Sequence, residues 1–309
     1  MSENKTIYFV AGLPRSGSTL LTNLLAQNPN IHVTPTSGII AMLVAVRNGW
    51  DQNEAFRAMD RKQSEATKAR VLRAMLQAYF ADVEAPVCID KNRFWCEFLE
   101  MAAALVGGRD RVKVLVTVRD LRDVIASFER LYRNTAALGQ LPQEGALELK
   151  FKTALGRVGV FIDDAQPVGR AYNAIRDAVT RGWLSCMHFV EYDDLTGDPH
   201  KTLQGIYEFL GEQPYQHDFN NVQQVTIEDD FVYGFKDLHT IRPVVQPQAA
   251  RWPDTFDDAV FQTPVWKNIE NLATFWRAYQ QRPDASSSQT RTSLEHTPDS
   301  GAKKNPFSH

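Results

Sequence analysis

The chain has 309 residues, 43% of them apolar, and a formal net charge of −3. That length and apolar share suit one large α/β core or two smaller ones. The charge argues against a strongly basic nucleic-acid binder but leaves room for a local basic pocket.

Residues 6–10, Thr-Ile-Tyr-Phe-Val, are rich in β-formers and read as a strand. They run into the turn Gly12-Leu13-Pro14-Arg15-Ser16-Gly17. A helix from Ser18 follows, with Leu20, Leu21, Leu24 and Leu25 at helical spacing and Asn28-Pro29 as its stop. Residues 53–81 read as a charged helix and 86–90 as a short strand. Residues 112–118, Val-Lys-Val-Leu-Val-Thr-Val, read as a buried strand, and 121–133 as a helix with Val124, Ile125, Phe128, Leu131 and Tyr132 on one face. A long helical region covers 143–181, a strand 186–192, and a helix 200–210 with Gly211 as its C-cap. Residues 212–262 carry loop signals, and 264–281 read as an amphipathic closing helix.

Strands alternating with helices imply an α/β fold: a P-loop-type parallel sheet flanked by helices on both faces. The expected organisation is one domain over 1–282 and a Ser/Thr/Pro/Asn/Lys-rich tail over 283–309, too poor in apolar residues to fold. The three cysteines, Cys88, Cys96 and Cys186, form no C-x-x-C pair; Cys88 and Cys186 lie in apolar runs and read as core thiols, and a reducing setting is expected. The apolar stretch at 7–11 is too short for a signal-peptide core, and no run approaches a membrane span, so a cytoplasmic location without membrane or nucleic-acid partners is expected. Nothing in the sequence fixes the oligomeric state.

A strand feeding Gly12-x-x-x-x-Gly17-Ser18-Thr19 at a helix N-terminus is a seat for a phosphate, because free backbone N–H groups and the helix dipole both favour an anion there. Arg15 adds charge, and Ser16, Ser18 and Thr19 add donors. The loop departs from the nucleotide-triphosphatase pattern, which has Lys after the second Gly; here that residue is Ser18. The obvious magnesium-binding carboxylate is also missing, Asp120 being the nearest candidate. Arg119, at the end of the strand over 112–118, sits on the edge where α/β sheets bind ligands, and Ser127 follows eight residues later.

Together these segments resemble the sulfotransferase superfamily, whose donor is 3′-phosphoadenosine 5′-phosphosulfate. Gly12-Leu13-Pro14-Arg15-Ser16-Gly17-Ser18-Thr19 is similar to its 5′-phosphosulfate loop, and Arg119-Asp120-Leu121-Arg122-Asp123-Val124-Ile125-Ala126-Ser127 to its 3′-phosphate motif. The resemblance implies that Arg119 and Ser127 hold the 3′-phosphate, that Tyr192 lies near the nucleotide, and that Lys91, in Asp90-Lys91-Asn92, approaches the transferred group. The loop spelling is nearest to bacterial members and tyrosylprotein sulfotransferases. Three departures stand out. Leu20 replaces the Trp that stacks on adenine in the cytosolic branch. The late basic segment of that branch is absent, leaving Arg242 or Lys236 as candidate nucleotide contacts. The base is missing from both of its usual places, which here hold Arg93 and Thr34-Pro35-Thr36-Ser37.

The implied reaction moves a sulfuryl group to a hydroxyl acceptor: a carbohydrate, a small alcohol or phenol, or a peptide tyrosine. Arg15, Lys91 and the loop amides would stabilise charge as the nucleotide phosphate leaves. A sulfuryl group carries less charge than a phosphoryl group, so no metal is expected. His239 is the first candidate base, with His32 and Asp90 as alternatives. The acceptor pocket is expected between 34–82 and 134–182, with Trp50, Phe94, Trp95 and Tyr132 as candidate lining. A phosphoryl-transferring kinase and a non-catalytic nucleotide-binding module are the rival readings.

Overall fold

The computed structural model describes residues 5–138 and 148–280. Five strands run in one parallel sheet: β1 (Thr6–Gly12), β2 (Ile31–Thr36), β3 (Val87–Lys91), β4 (Val114–Val118) and β5 (Met187–Glu191), in the order β2-β3-β1-β4-β5. β1 is central, with Phe9 paired to Asp90 on one side and Val114 on the other. Its alternation divides the core. Ile7, Phe9 and Ala11 face one cluster, while Tyr8 and Val10 face the other, so both faces of the sheet are covered.

The helices are α1 (Ser18–Leu25), α2 (Ile39–Gln52), α3 (Glu54–Ala58), α4 (Arg61–Tyr79), α5 (Leu99–Val106), α6 (Leu121–Ala136), α7 (Glu148–Phe151), α8 (Ala154–Phe161), α9 (Pro167–Thr180), α10 (Tyr192–Gly197), α11 (Pro199–Leu210), α12 (Asp258–Phe261), α13 (Pro264–Asn271) and α14 (Arg277–Gln280). On α1, Leu21, Leu24 and Leu25 are fully buried against Leu203, Ile206 and Leu210 of α11. Each such side chain contributes about 1.5–3 kcal/mol, which fixes the helix whose first turn opens the site. α11 ends at Gly211, φ 74°, as its spacing implied. On the other face α6 starts at Asp120, whose carboxylate accepts from the Arg122 N–H, and buries Leu121, Val124, Ile125, Phe128 and Leu131. Glu129, fully buried on the same helix, takes a forked ion pair from Arg157 of α8.

The parallel sheet and the strand–loop–helix unit match the expectation, and several details do not. β2 is an additional edge strand. Its Pro35 and its alternating polar residues hid it, since Pro is tolerated at a sheet edge but weakens a strand signature. The charged region 53–81 is two helices, because Asp60 ends one segment and caps the next. Of the region 143–181, residues 143–147 lie outside the described residues, and the rest forms three helices, broken where Thr153 caps α8 and Pro167 opens α9. The closing helix likewise ends at Asn271, and α14 follows after a turn. The expected tail, 283–309, lies outside the described residues. The three cysteines are buried and free. No described helix is long and apolar enough to cross a membrane.

Candidate functional site

At the carboxyl ends of β1, β3 and β4 the chain encloses a cavity of about 410 Å³. The loop after β1 forms its floor. Gly12 has φ 129°, and a Cβ there would lie 2.1 Å from the Thr117 carbonyl oxygen, so the loop can approach β4 only without a side chain at that position. Leu13 N–H donates to the Thr117 carbonyl at 2.8 Å, and the Ser16 hydroxyl lies 2.7 Å from the Thr117 hydroxyl. Arg15 adopts φ 61° and Gly17 φ 86°, so the loop holds a left-handed conformation at a non-glycine residue, a form of strain that clusters at ligand clamps. Gly17 is the N-cap of α1 and supplies no side-chain acceptor. The N–H groups of the first turn therefore keep their need for an anion at the cavity wall.

Arg119 follows β4 and lines the same cavity as the loop, as do Ser127, Tyr192, Lys91, His239 and Arg242. Arg119 lies flat over the Tyr192 ring at 4.2 Å, and one of its terminal nitrogens is 3.7 Å from Asp123. Its Nε, buried, has no hydrogen-bond partner among the described residues. Arg15 donates through Nε to the Ser127 hydroxyl at 3.1 Å and through a terminal nitrogen to the Leu238 carbonyl. Burial first, and then the neighbouring Arg119 charge, lower the Arg15 pKa to about 10. Arg15 thus stands with Arg119 and Ser127 at the β4 side of the loop, while Lys91 stands across β1 at the end of β3.

Lys91, 6% exposed, forms an ion pair with Glu228 at 3.3 Å. Burial lowers its pKa, and Glu228 offsets part of that shift. Glu228 also accepts the Thr36 N–H at 3.0 Å, so the segment after α1, which lacks an acid of its own, receives a carboxylate from a distant loop. Glu228 Oε2 lies 3.6 Å from His239 Nδ1, which is hydrogen-bonded to Asp230 at 2.6 Å. Asp230 also accepts the His239 backbone N–H at 3.0 Å. With a proton on Nδ1 facing Asp230, Nε2 carries the lone pair. Burial and Lys91 lower the His239 pKa, with Glu228 and Asp230 opposing, so the neutral ring is favoured at neutral pH.

Several expected residues are placed elsewhere. The Ser16 hydroxyl is buried and engaged with Leu13 and Thr117, so its side chain is not a nucleotide contact. His32 lies on β2, packed edge-on against Phe80 at 6.1 Å, and does not line the cavity. Asp90 points to the opposite face of β3 from Lys91, is fully buried, and accepts the Trp95 indole N–H at 2.7 Å, so it is no candidate base. Asp120 is paired with Arg122 at 2.6 Å. Lys236 does not line the cavity, whereas Arg242 lies exposed at its mouth. Of the described residues in the regions 34–82 and 134–182, only Thr36 and Pro167 reach the wall. Trp50, Phe94, Trp95 and Tyr132 do not; Trp50 stacks on Phe56 and Trp95 packs against Phe9. Glu228 and Asp230 were missed because they sit in a stretch without periodicity. The run Glu228-Asp229-Asp230 followed by His239 was the available signal.

Residues 8–217 match the model of the sulfotransferase family, about two-thirds of the chain. The chain belongs to the sulfotransferase family. It is 27% identical over 132 residues to the rat protein-tyrosine sulfotransferase 1, covering 41% of this chain and 34% of the rat protein. To the chicken protein-tyrosine sulfotransferase 2 it is 30% identical over 84 residues, 27% of this chain and 22% of the relative. The matches therefore span about a third or less of these relatives' lengths. The sulfotransferase domain of the Synechococcus PCC 7002 olefin synthase shares the fold, with TM-score 0.51 at 20% identity over 91% of this chain and 97% of that one.

The charge lining this sulfotransferase cavity is one-sided. Arg15, Lys91, Arg93, Arg119, Arg130, Arg242 and Arg251 line it, and no Asp or Glu among the described residues does, in a chain whose net charge is −3. Its apolar wall includes Leu20, Ile241 and Val245, which pack on the cluster beneath α1, and the rings of Phe128 and Phe235.

Proposed function

We propose that this sulfotransferase takes its sulfuryl group from 3′-phosphoadenosine 5′-phosphosulfate and delivers it to a hydroxyl acceptor, with His239 as the base. The observation that carries the reading is a single cavity with two separate seats for negative charge: the N–H groups at the start of α1, and the Arg119 guanidinium with its unpartnered Nε beside Ser127 and Arg15. The loop that carries the first seat follows β1 and Arg119 follows β4, the next strand, so both seats open into one cavity from adjacent strand ends, as a nucleotide with an anionic group at each end requires.

In this reading Arg119, Ser127 and Arg15 hold the 3′-phosphate, and the loop amides with Ser18 and Thr19 hold the 5′ end. Leu20, Ile241 and Val245 take the place of an aromatic ring against adenine, with Tyr192 supporting Arg119 and Arg242 closing the mouth. Lys91 sits where charge develops on the departing oxygen, and its ammonium lowers the cost of that charge in a desolvated site. Glu228 holds Lys91 in position. His239 Nε2 accepts the proton of the acceptor hydroxyl while Asp230 fixes the ring through Nδ1. An acceptor oxygen placed between Lys91 and His239 attacks in line, which needs positioning more than covalent help from the protein.

The test is transfer of label from the sulfur-35 donor to a panel of phenols, alcohols, sugars and tyrosine peptides, run with a chelator present. Labelled product together with adenosine 3′,5′-bisphosphate supports the reading. Transfer from γ-labelled ATP with magnesium and none from the sulfate donor would replace it with the kinase reading.

A further inference from the structure

We infer that Arg93 is an acceptor-binding residue and that the acceptor carries an oxyanion, such as a carboxylate, besides the hydroxyl it offers. This inference rests on the donor assignment above. Arg93 follows Lys91 by two positions at the end of β3, on the opposite side of β1 from Arg119. With the donor stretched from the β4 side towards Lys91, a group beyond Lys91 meets the acceptor and not the nucleotide.

Arg93 lines the cavity half-buried. It makes no hydrogen bond or ion pair with a described residue; its guanidinium carbon lies 5.7 Å from the centre of the Phe94 ring. Most other cations of the wall are engaged. Arg15 bonds Ser127, Lys91 pairs with Glu228, Arg119 with Asp123, Arg130 bonds Thr255 and Arg242 bonds Gln248. The Arg251 side chain lies exposed to water. The charged and titratable groups around Arg93 are Tyr233, Glu228, Arg170 and the like-charged Lys91. Glu228 is already committed to Lys91, and Arg170 is a like charge paired with Glu97. A guanidinium drawn out of water without a partner is costly, and burial lowers its pKa accordingly. A carboxylate matches its planar fork with two charged hydrogen bonds.

Three phenols with one reacting group and different tails test this: 3-(4-hydroxyphenyl)propanoate, the neutral 4-(2-hydroxyethyl)phenol, and tyramine. Their affinities are measured by calorimetry on protein saturated with adenosine 3′,5′-bisphosphate. The wild type should bind the carboxylate about 10- to 100-fold more tightly than the neutral phenol, and tyramine weakest. Arg93→Gln should flatten the series, and Arg93→Lys should keep part of it. If the bisphosphate itself fails to bind, the donor assignment fails. If it binds but the wild type shows no preference for the carboxylate, or if the preference survives Arg93→Gln, the inference about Arg93 is overturned and the donor assignment stands.

Discussion

Removing the Glu228 carboxylate probes the one buried ion pair that ties the late loop to the sheet. Lys91 Nζ and Glu228 Oε2 are 3.3 Å apart, each side chain 6% exposed. Unit charges at that distance attract by about 5 kcal/mol at an effective dielectric near 20, and stranding one partner of a buried pair costs about 3–5 kcal/mol. Glu228→Gln keeps an acceptor for the Thr36 N–H but leaves the ammonium alone, so a loss of about 3–5 kcal/mol at neutral pH is expected. Lys91→Met should lose a similar amount by stranding the carboxylate. The double variant strands no charge and should lose far less than the sum of the two. Urea unfolding of the four proteins, read by tryptophan fluorescence, gives the cycle. The pH dependence has a definite sign. Burial alone would raise the Glu228 pKa, but Lys91, the Thr36 N–H and His239 together hold it below the ordinary 4.5. Its stabilisation is therefore present above pH 4.5 and is lost as pH falls through the lower folded value. Additive losses in the cycle, or a Glu228→Gln penalty that does not shrink as pH is lowered below 4.5, would refute the coupling.

If His239 is the base, kcat/KM should rise with pH through an inflection below 6.5, because burial and Lys91 favour the neutral ring. His239→Ala should remove that acid limb and reduce kcat by about 10²–10⁴-fold; an intact limb would exclude the residue. Asp90 tests the core. Burial raises its pKa to about 6 from 3.8, with the Trp95 N–H offsetting part, so ionisation at pH 7 costs the fold about 3 kcal/mol. An acid with a raised folded pKa loses stability as pH rises from the unfolded value to the folded one. Asp90→Asn should therefore stabilise the protein at pH 8, with a smaller gain at pH 5, and equal gains at the two pH values would contradict this. Gly17→Ala places a Cβ 2.7 Å from Tyr192 Cδ2 at φ 86°. It should displace the ring beneath Arg119 and weaken bisphosphate binding at least 10-fold or so, as read by calorimetry.

The centre of the site was legible because its chemistry is written in short, contiguous stretches. The loop from Gly12 to Thr19 is fixed by positive-φ glycines and an apolar helix face, and Arg119 to Ser127 lies on one strand end and one helix. Such local constraints leave a spacing in the sequence. Glu228 and Asp230, which hold Lys91 and His239 from behind the cavity wall, and the Leu238 carbonyl come from a stretch with little regular structure, where position depends on long-range contacts such as Glu228 with Thr36 and Asn23 with Thr226. No period marks those partners. The inward turn of the Ser16 hydroxyl has the same root. A hydroxyl in a phosphate loop suggests a ligand contact, and only the approach of Thr117 turns it inward. β2 was hidden by Pro35, which an edge strand tolerates.

The central claim is that one nucleotide spans both seats, and the affinity of wild-type and Arg119→Ala protein for adenosine 3′,5′-bisphosphate and for adenosine 5′-monophosphate tests it most directly. Charged hydrogen bonds contribute about 1.5–3 kcal/mol each, so the wild type should favour the bisphosphate by roughly 10- to 100-fold or more, and Arg119→Ala should bring the two ligands to similar, weak affinities. A preference for the bisphosphate that persists in Arg119→Ala, or an equal loss for both ligands, would contradict the account.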